Sequence, residues 1–152
     1  MVASLLASTA LALAGPAQPV FQLRLADEMP SDNSERMTYV THYDQHLVTH
    51  VFFVQKTVLL DETALKSAKP GTDARGRGII DVTFTDAGTK KFAEVTRQNI
   101  HKHLAIIIDG QLCQAPVIQT EISGGKAQIS GNFSNQEAKD LAKKISEAAK
   151  KK

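Results

Sequence analysis

The chain has 152 residues, of which 42% are hydrophobic and 22% charged, and its 18 Lys+Arg against 16 Asp+Glu leave a formal net charge of +2 at pH 7. This composition is typical of one folded domain and excludes a disordered chain. The single cysteine excludes a disulfide scaffold, and the small net charge argues against a nucleic-acid partner. Beyond the N-terminus, the sequence lacks the apolar runs of about 20 residues that a polytopic membrane protein needs.

The N-terminus predicts export. Residues 2–14 read VASLLASTALALA, are uncharged and end in a small-x-small pattern before Gly15. Such a run is short for a membrane span and typical of a secretory signal. We therefore expect residues 1–14 to be a signal peptide cleaved after Ala14, which makes the mature chain periplasmic or extracellular and free of a transmembrane segment. No Lys or Arg precedes the run, so a buried N-terminal helix or part of a membrane anchor stays as an alternative.

Three β-strands are predicted first, because apolar and polar residues alternate or because β-branched and aromatic residues cluster. These strands cover residues 20–26, 37–43 and 46–54. Asp44-Gln45 separates the last two strands, which predicts a hairpin.

Helices and strands alternate in the middle of the chain. Asp61 is a cap for a short helix over 62–68, which precedes a flexible Gly-rich loop over 69–78. A strand over 79–85 and a helix over 86–102 follow, the latter with apolar residues at helical spacing.

The last third begins with the continuous apolar run at 104–108, which predicts a central strand buried on both faces. Strands over 111–119 and 126–130 precede a helix over 134–149 that opens with a capping box. Together the elements predict an α+β fold, with a mainly antiparallel sheet and two longer helices and one short helix packed on one face.

The histidines are the first candidates for chemistry. His42, His46 and His50 lie four residues apart, a spacing that places metal ligands on one face of a helix. In the predicted hairpin, however, His46 and His50 lie about 13 Å apart at roughly 3.3 Å per residue, which is too far for one ion. We expect solvated or helix-capping histidines, including His101 and His103, with metal binding as the lesser alternative.

Other catalytic motifs are incomplete. Cys113 has no C-x-x-C partner and is expected to pack as a small strand residue. Ser123 and Lys126 spell S-x-x-K, but they flank a Gly-Gly turn instead of opening a helix. The sequence contains no phosphate-binding Gly-rich motif and no evident pair of catalytic carboxylates. It therefore predicts no enzyme, no cofactor and no metal.

Between about residue 50 and residue 147, short motifs occur in a specific order. They are FT at 84–85, KFAE at 91–94, TRQN at 96–99, LAIIIDG at 104–110, APVI at 115–118, ISGGKAQISGNFS at 122–134 and EAKDLA at 137–142. In these motifs the chain resembles the head subdomain of the first periplasmic domain of SecD, an accessory protein of the protein-export translocon. The resemblance implies a SecD-head-like α+β domain over 50–149, preceded by a strand, loop and hairpin extension over 15–49 and followed by a lysine tail at 150–152.

The same resemblance implies a non-enzymatic module that contacts translocating polypeptide. In SecD-type proteins the head moves relative to a base subdomain and is coupled to proton flow through membrane helices. This sequence contains no counterpart of the base, the membrane helices or their proton-carrying residues. We therefore carry over the binding role and not the proton-driven motor.

Two functions remain open. In the first, the exported module binds unfolded polypeptide or a translocon partner, with an extended client adding to a sheet edge or resting in an apolar groove. In the second, it is an envelope-associated structural or interaction module with another protein partner or a lipid surface. Its lipid contacts would be the lysines of the last helix, Lys139, Lys143, Lys144, Lys150, Lys151 and Lys152.

For polypeptide binding, the expected contact segment combines an edge strand, which a proline restricts to an edge or a bulge, with the following Gly-Gly turn. Its residues are Pro116, Val117, Ile118, Gln119, Thr120, Gly124 and Gly125.

Overall fold

Residues 18–151 are described by the computed structural model, so the predicted signal peptide at 1–14 lies outside the described residues. The strands of this part are β1 (Phe21–Asp27), β2 (Ser34–Tyr43), β3 (His46–Gln55), β4 (Leu60–Asp61), β5 (Leu65–Thr72), β6 (Gly78–Phe84), β7 (His103–Ile108), β8 (Gln111–Gln114) and β9 (Lys126–Phe133). The helices are α1 (Asp86–Gln98) and α2 (Asn135–Lys150), and a 3-10 turn covers Glu62–Ala64.

The strands form two sheets instead of the single sheet that we expected. The first sheet has the order β2-β3-β1-β7-β8, with β4 paired to β1, and the second has the order β5-β6-β9. Every strand pair is antiparallel. The antiparallel α+β class and the two longer helices are therefore confirmed, whereas the single-sheet arrangement is wrong.

The predicted short helix over 62–68 is also wrong. Asp61 caps as expected, because its carboxylate accepts a hydrogen bond from the Thr63 N–H. The 3-10 turn that it caps ends at Ala64, however, and Leu65 is already extended. Leu65 then begins β5, which takes up the start of the loop expected over 69–78. Pairing of β5 with β6 buries Leu65 and supplies a long ladder, and this tertiary gain outweighs the local preference for a helix.

Both helices begin at a capping hydroxyl, and the capping box predicted for the last helix is present. The Thr85 hydroxyl accepts a hydrogen bond from the Gly88 N–H at 3.0 Å at the start of α1. At the start of α2, Ser134 and Glu137 form both bonds of the capping box, at 3.1 Å and 2.7 Å. The first helix ends at Gln98, short of the predicted residue 102, and the chain then turns toward β7.

The hairpin is confirmed. Strands β2 and β3 pair from Ser34–Gln55 to Tyr43–His46. Asp44 and Gln45 both have positive φ angles, 43° and 67°, as a tight two-residue turn between strands requires. Only the base of β3 pairs with β1, so most of the hairpin extends past β1.

A main core lies between the two sheets and both helices. Its buried residues are Phe21, Leu23, Leu60, Leu65, Ala68, Ile80, Val82, Phe84, Phe92, Val95, Leu104, Ile106, Ile108, Ile118, Ile129, Ala138, Ala142, Ile145 and Ala149. A smaller core lies on the opposite face of the first sheet and contains Ala26, Phe52, Val54, Ala105, Ile107, Leu112 and Ala115. Strand β7 contributes to both cores, which confirms the predicted central strand buried on both faces.

Candidate functional site

The first sheet curls so that its two edges approach each other. Strands β2 and β8 stand at opposite ends of the strand order, yet some of their Cα atoms lie within 8 Å of each other. Between them runs an open groove of about 680 Å³, lined by residues 36–40 of β2, by residues 108–113, and by side chains of β9 and α2. We call this space the edge groove.

The backbone of β2 faces the edge groove with unpaired groups. The Lys56 N–H donates to the Asn33 carbonyl at 2.9 Å, just before the first β2–β3 pair. Because bonded and non-bonded pairs alternate in an antiparallel ladder, the N–H and C=O groups of Arg36, Thr38 and Val40 point away from β3. Within residues 18–151, β2 forms a ladder only with β3, so among these residues its outer edge is open to a further strand.

A row of stacked rings links the hairpin to the segment after β8. The Tyr39 ring stacks on His50 at 4.7 Å and on Phe52 at 6.1 Å, and Phe52 lies 4.8 Å from the His103 ring. The His103 Nδ1 atom is 2.8 Å from the Ala115 carbonyl oxygen. Burial raises the pKa of Tyr39, against the opposing effect of a backbone hydrogen bond from Ala115. The row holds the hairpin against β7 and β8.

The hairpin histidines do not converge. His50 belongs to the ring row, and its Nε2 atom lies 2.9 Å from the Thr41 hydroxyl. His46 shares that face of β3, whereas His42 is paired with Leu47 and lies on the opposite face. Within residues 18–151, no three His, Cys, Asp or Glu side chains are placed to hold a metal ion.

The predicted contact segment is partly tied to β7. The Leu104 N–H donates to the Pro116 carbonyl at 2.8 Å, and the Ile118 N–H donates to the Lys102 carbonyl at 2.9 Å. Val117 lies between these bonds and opposite His103, so its own N–H and C=O point outward, and its side chain is 38% exposed. Strand β8 ends at Gln114, before the predicted residue 119.

The remaining predicted residues lie in different surroundings. Ile118 is 4% exposed and packs in the main core, so its side chain is not available to a partner. Gly125 accepts a hydrogen bond from the Phe84 N–H at 2.9 Å and lies beside Thr89 of α1. Gly124, in contrast, has open space around it. Gln119 and Thr120 are exposed between these two regions. The segment 116–125 therefore crosses from the first sheet to α1 instead of forming one patch.

A smaller cavity brings part of the predicted segment next to the edge groove. This cavity of about 260 Å³ is lined by residues 39–41, by residues 113–116 and by residues 130–132 with Arg77. It shares Tyr39, Val40 and Cys113 with the edge groove. Pro116 thus borders the continuation of the groove along β2.

Cys113 lines both this cavity and the edge groove. Burial raises the pKa of the Cys113 thiol to about 11, so the thiol is neutral near pH 7. A neutral thiol is a poor nucleophile. Ser123 lies in an irregular segment and Lys126 begins β9, so the S-x-x-K sequence does not open a helix here. In the described part of the chain, neither Cys113 nor the S-x-x-K sequence is thus arranged as an activated nucleophile.

Comparison with known proteins assigns the family. The family model described as SecDF, P1 head subdomain, matches residues 36–149, about three quarters of the chain. The chain belongs to this SecDF P1 head family. The resemblance expected from the sequence motifs is thereby confirmed, and the matched range includes the hairpin of β2 and β3 as well as both helices.

Relatives and solved structures agree with this family. The SecD subunit of the Sebaldella termitidis protein translocase is 48% identical over 84 residues, which cover 55% of this chain and 21% of that protein. SecDF of Thermus thermophilus is 49% identical over 84 residues, 55% of this chain and 11% of that protein. The chain therefore spans about a fifth or less of the length of these two curated relatives.

Two solved structures resemble the fold of the P1 head. SecDF in the super-membrane-facing form superposes with a TM-score of 0.64 at 30% identity, covering 84% of this chain and 18% of that one. A second SecDF structure, described as a membrane component that enhances protein export, gives a TM-score of 0.61 at 30% identity and covers 86% of this chain and 61% of that chain. Neither helix in the described part of our P1 head chain has the length and hydropathy needed to cross a bilayer.

The lysines of α2 lie on the solvent face of this P1 head, as their sequence pattern indicates. Lys144 forms an ion pair with Asp109 at 2.7 Å. The exposed Lys139, Lys143, Lys150 and Lys151 alternate along the helix with Glu137, Asp140 and Glu147. Neighbouring carboxylates weaken the positive potential that these lysines present to an anionic surface.

Sequence reasoning missed two features of the site. The first is the free edge of β2, which was described only as one strand of a hairpin. The second is Arg24, which is 8% exposed and lies on the face of β1 that carries the smaller core. Both were signalled weakly: β2 and β3 are long for a hairpin, and Arg24 follows Gln22 on the polar face of the alternating strand.

Proposed function

We propose that this chain is a non-enzymatic accessory module of protein export that binds extended, unfolded polypeptide along the free edge of β2. The module acts outside the cytoplasm, in the periplasm or an equivalent exported location, and its second class of partner is the translocon. Membership of the SecDF P1 head family and the names of its relatives support the export role.

The observation that carries the binding proposal is the ten-residue strand β2, whose outer backbone groups face the edge groove. An extended client adds to such an edge through main-chain hydrogen bonds, which do not depend on client sequence. This suits a module that must accept many unfolded chains. Apolar groove residues such as Met37 and Val40 offer contact to client side chains.

An unprotected edge of this length normally invites aggregation. In this protein the curl of the first sheet brings β8 opposite the edge and narrows access to it. A single extended chain can still enter the groove of about 680 Å³, whereas a second folded sheet meets β8, β9 and α2. The groove thus selects unfolded over folded chains by shape.

The experiment is fluorescence anisotropy of a labelled, permanently unfolded preprotein titrated with the full 152-residue chain, beside a folded protein with the same label. We expect saturable binding in the micromolar range to the unfolded chain alone. The absence of binding up to about 1 mM, an affinity of only about −4 kcal/mol, would overturn the polypeptide-binding function. Co-sedimentation with anionic vesicles but not with unfolded chains would favour the lipid-surface alternative instead.

A matched pair of variants locates the binding edge. Thr38→Pro removes an N–H that faces the groove and leaves the β2–β3 ladder bonded, since edge strands tolerate proline at such positions. We expect Thr38→Pro to weaken binding at least tenfold and Thr38→Ala to change it less than twofold. Equal affinities for the two variants, with similar melting temperatures, would show that clients bind elsewhere.

A further inference from the structure

A second cavity opens at the end of the edge groove, on the side of the first sheet that carries the smaller core. Its volume is about 420 Å³, and its lining residues are Gln18, Gln22, Arg24, Glu35, Met37, Lys56, Ile107 and Gly110. We call it the Arg24 cavity. It shares Met37 and Gly110 with the edge groove, so a chain lying along β2 leads directly to it.

Arg24 is held rigidly at this cavity. Its Nε donates to the Gln22 side-chain oxygen at 2.7 Å, and its Nη1 donates to a Glu35 carboxylate oxygen at 2.8 Å. Gln22 is itself buried, and its amide donates to the Pro19 carbonyl at 3.2 Å. Within residues 18–151, the hydrogen bonds that Arg24 donates to the protein come from Nε and Nη1, and no buried side-chain polar atom there lacks a partner, so Nη2 is open to solvent at the cavity. A buried guanidinium therefore keeps donors available at the cavity.

The charges around the cavity favour an anion. Among the described lining residues, Arg24 and Lys56 carry two positive charges and Glu35 is the one carboxylate, so the lining has a net charge of +1. The half-exposed Glu35 pairs with Arg24 through Nη1. The solvent-accessible Nη2 is therefore free to exchange water for an anion.

The shape and charge also indicate which anion fits. A guanidinium matches the two oxygens of a carboxylate, and Lys56 adds a flexible ammonium at the same cavity. The Glu35 carboxylate repels a dianion such as phosphate more strongly than a monoanion. A polypeptide bound along β2 would bring carboxylates to this cavity, either on its acidic side chains or at its C-terminus.

We propose that the Arg24 cavity is a carboxylate-binding site, occupied by an acidic side chain or the α-carboxylate of an extended polypeptide in the edge groove. Carboxylate binding stands on the cavity alone, and only the polypeptide as its source rests on the proposed function. The site gives the sequence-independent edge of β2 an added preference for clients with a correctly placed negative charge.

The first test uses sodium acetate as the probe. The full chain is titrated with acetate, and with chloride at equal ionic strength, while NMR follows the Arg24 Nε–H signal and the backbone amides of Ile107 and Gly110. We expect saturable, acetate-specific shifts in the millimolar range. Lys56→Gln should weaken acetate binding at least threefold, and Lys139→Gln, which removes a similar exposed charge from α2, should not change it.

Arg24→Gln should abolish the acetate response. Because Arg24 is buried, this variant is informative only if its melting is cooperative, and Lys56→Gln at the exposed rim carries the test otherwise. Identical responses to acetate and chloride, or full acetate affinity in Lys56→Gln, would overturn the carboxylate site.

The second test identifies the source of the carboxylate. Four octapeptides rich in Val and Thr are compared. Their central residue is Glu or Gln, and their C-terminus is free or amidated. A side-chain carboxylate predicts that the Glu peptides bind more tightly, and a terminal carboxylate predicts that the free-acid peptides do. Acetate binding without any peptide binding would retain the site and contradict the proposed function. If all four peptides bind equally and acetate causes no response, the carboxylate site is overturned and the proposed function is retained.

Discussion

The two faces of the six-stranded sheet are built by the same strands yet differ in chemistry. One face presents Leu23, Leu104 and Ile106 to the main core, where the second sheet and both helices cover them. The other face carries the smaller core together with the buried polar side chains Gln22 and Arg24. It is covered mainly by the curl of its own hairpin, with side chains of β9 and α2 at the edge groove. Apolar side chains from separate elements fill the main core and stabilise the fold, whereas the hairpin side is filled less completely and leaves a groove and cavities. Stability and binding are therefore separable in this molecule.

The largest expected effect contrasts two identical deletions. Leu104, 4% exposed in the main core, and Leu47, 66% exposed on the hairpin, are each replaced by alanine. We expect Leu104→Ala to lower the free energy of unfolding by about 2–5 kcal/mol, because it removes buried contacts and leaves a cavity. Leu47→Ala should change it by less than about 0.5 kcal/mol. Urea denaturation measures both, and an equal cost would show that the hairpin is buried in solution, for instance by self-association.

Two glycine substitutions test how tightly α1 packs on the side of the main core. A Cβ at Gly88 of α1 overlaps the Ala64 carbonyl oxygen of the 3-10 turn, whereas a Cβ at Gly124 meets no atom within 4 Å. We expect Gly88→Ala to destabilise the fold by about 1–3 kcal/mol, because backbone must move. Gly124→Ala should be neutral or slightly stabilising. Melting temperatures separate the two, and an unchanged value for Gly88→Ala would contradict the close packing of α1.

Cys113 provides a pH-dependent test on the groove side. Burial raises the pKa of its thiol to about 11 from an ordinary value of 9.0, so between these pH values the folded state keeps a proton that the unfolded state releases. Stability must therefore fall as pH rises through this interval, by about 2 kcal/mol, and this contribution is constant below pH 9. Urea denaturation from pH 8 to 11 should show a steeper loss in the natural chain than in Cys113→Ala. Parallel curves would mean that the thiol is freely solvated.

The smallest effect concerns the cap of α2, which covers the main core. Ser134 accepts a hydrogen bond from the Glu137 N–H at 3.1 Å, so Ser134→Ala leaves a helix N–H without its partner. We expect a loss of about 1 kcal/mol in unfolding free energy. Ser123→Ala, in the irregular segment before the Gly-Gly turn, is the control and should have no effect. If both variants melt together, the capping box contributes nothing to stability.

Elements with a strong local signal were predictable. The Asp44-Gln45 turn, the capping box at Ser134 and the apolar run of β7 are each encoded within a few neighbouring residues, and each lies where the sequence predicts it. Residues 62–68 were misread as a helix because their local cap at Asp61 is genuine, whereas the partner that draws Leu65 and the following residues into a strand lies in β6.

The candidate site was less predictable than the fold. Pro116 was recognised as a restriction on pairing and borders the groove, but Ile118 lies in the core and Gly125 lies beside α1. The alternation of side chains does not reveal which strand of a hairpin is left without a neighbour. For that reason the open edge of β2 could not be distinguished from the paired edge of β3.

By itself the sequence determined the α+β class, the hairpin, the starts of the two longer helices and, through its ordered motifs, the family. These features depend on hydrogen bonds and periodicities between residues close in the chain. Only the tertiary structure decided that the strands divide into two sheets, that β2 faces a groove and that Arg24 meets Glu35 beside a cavity. These depend on strand order and sheet curl, which bring together residues whose separation in the chain carries no local signal.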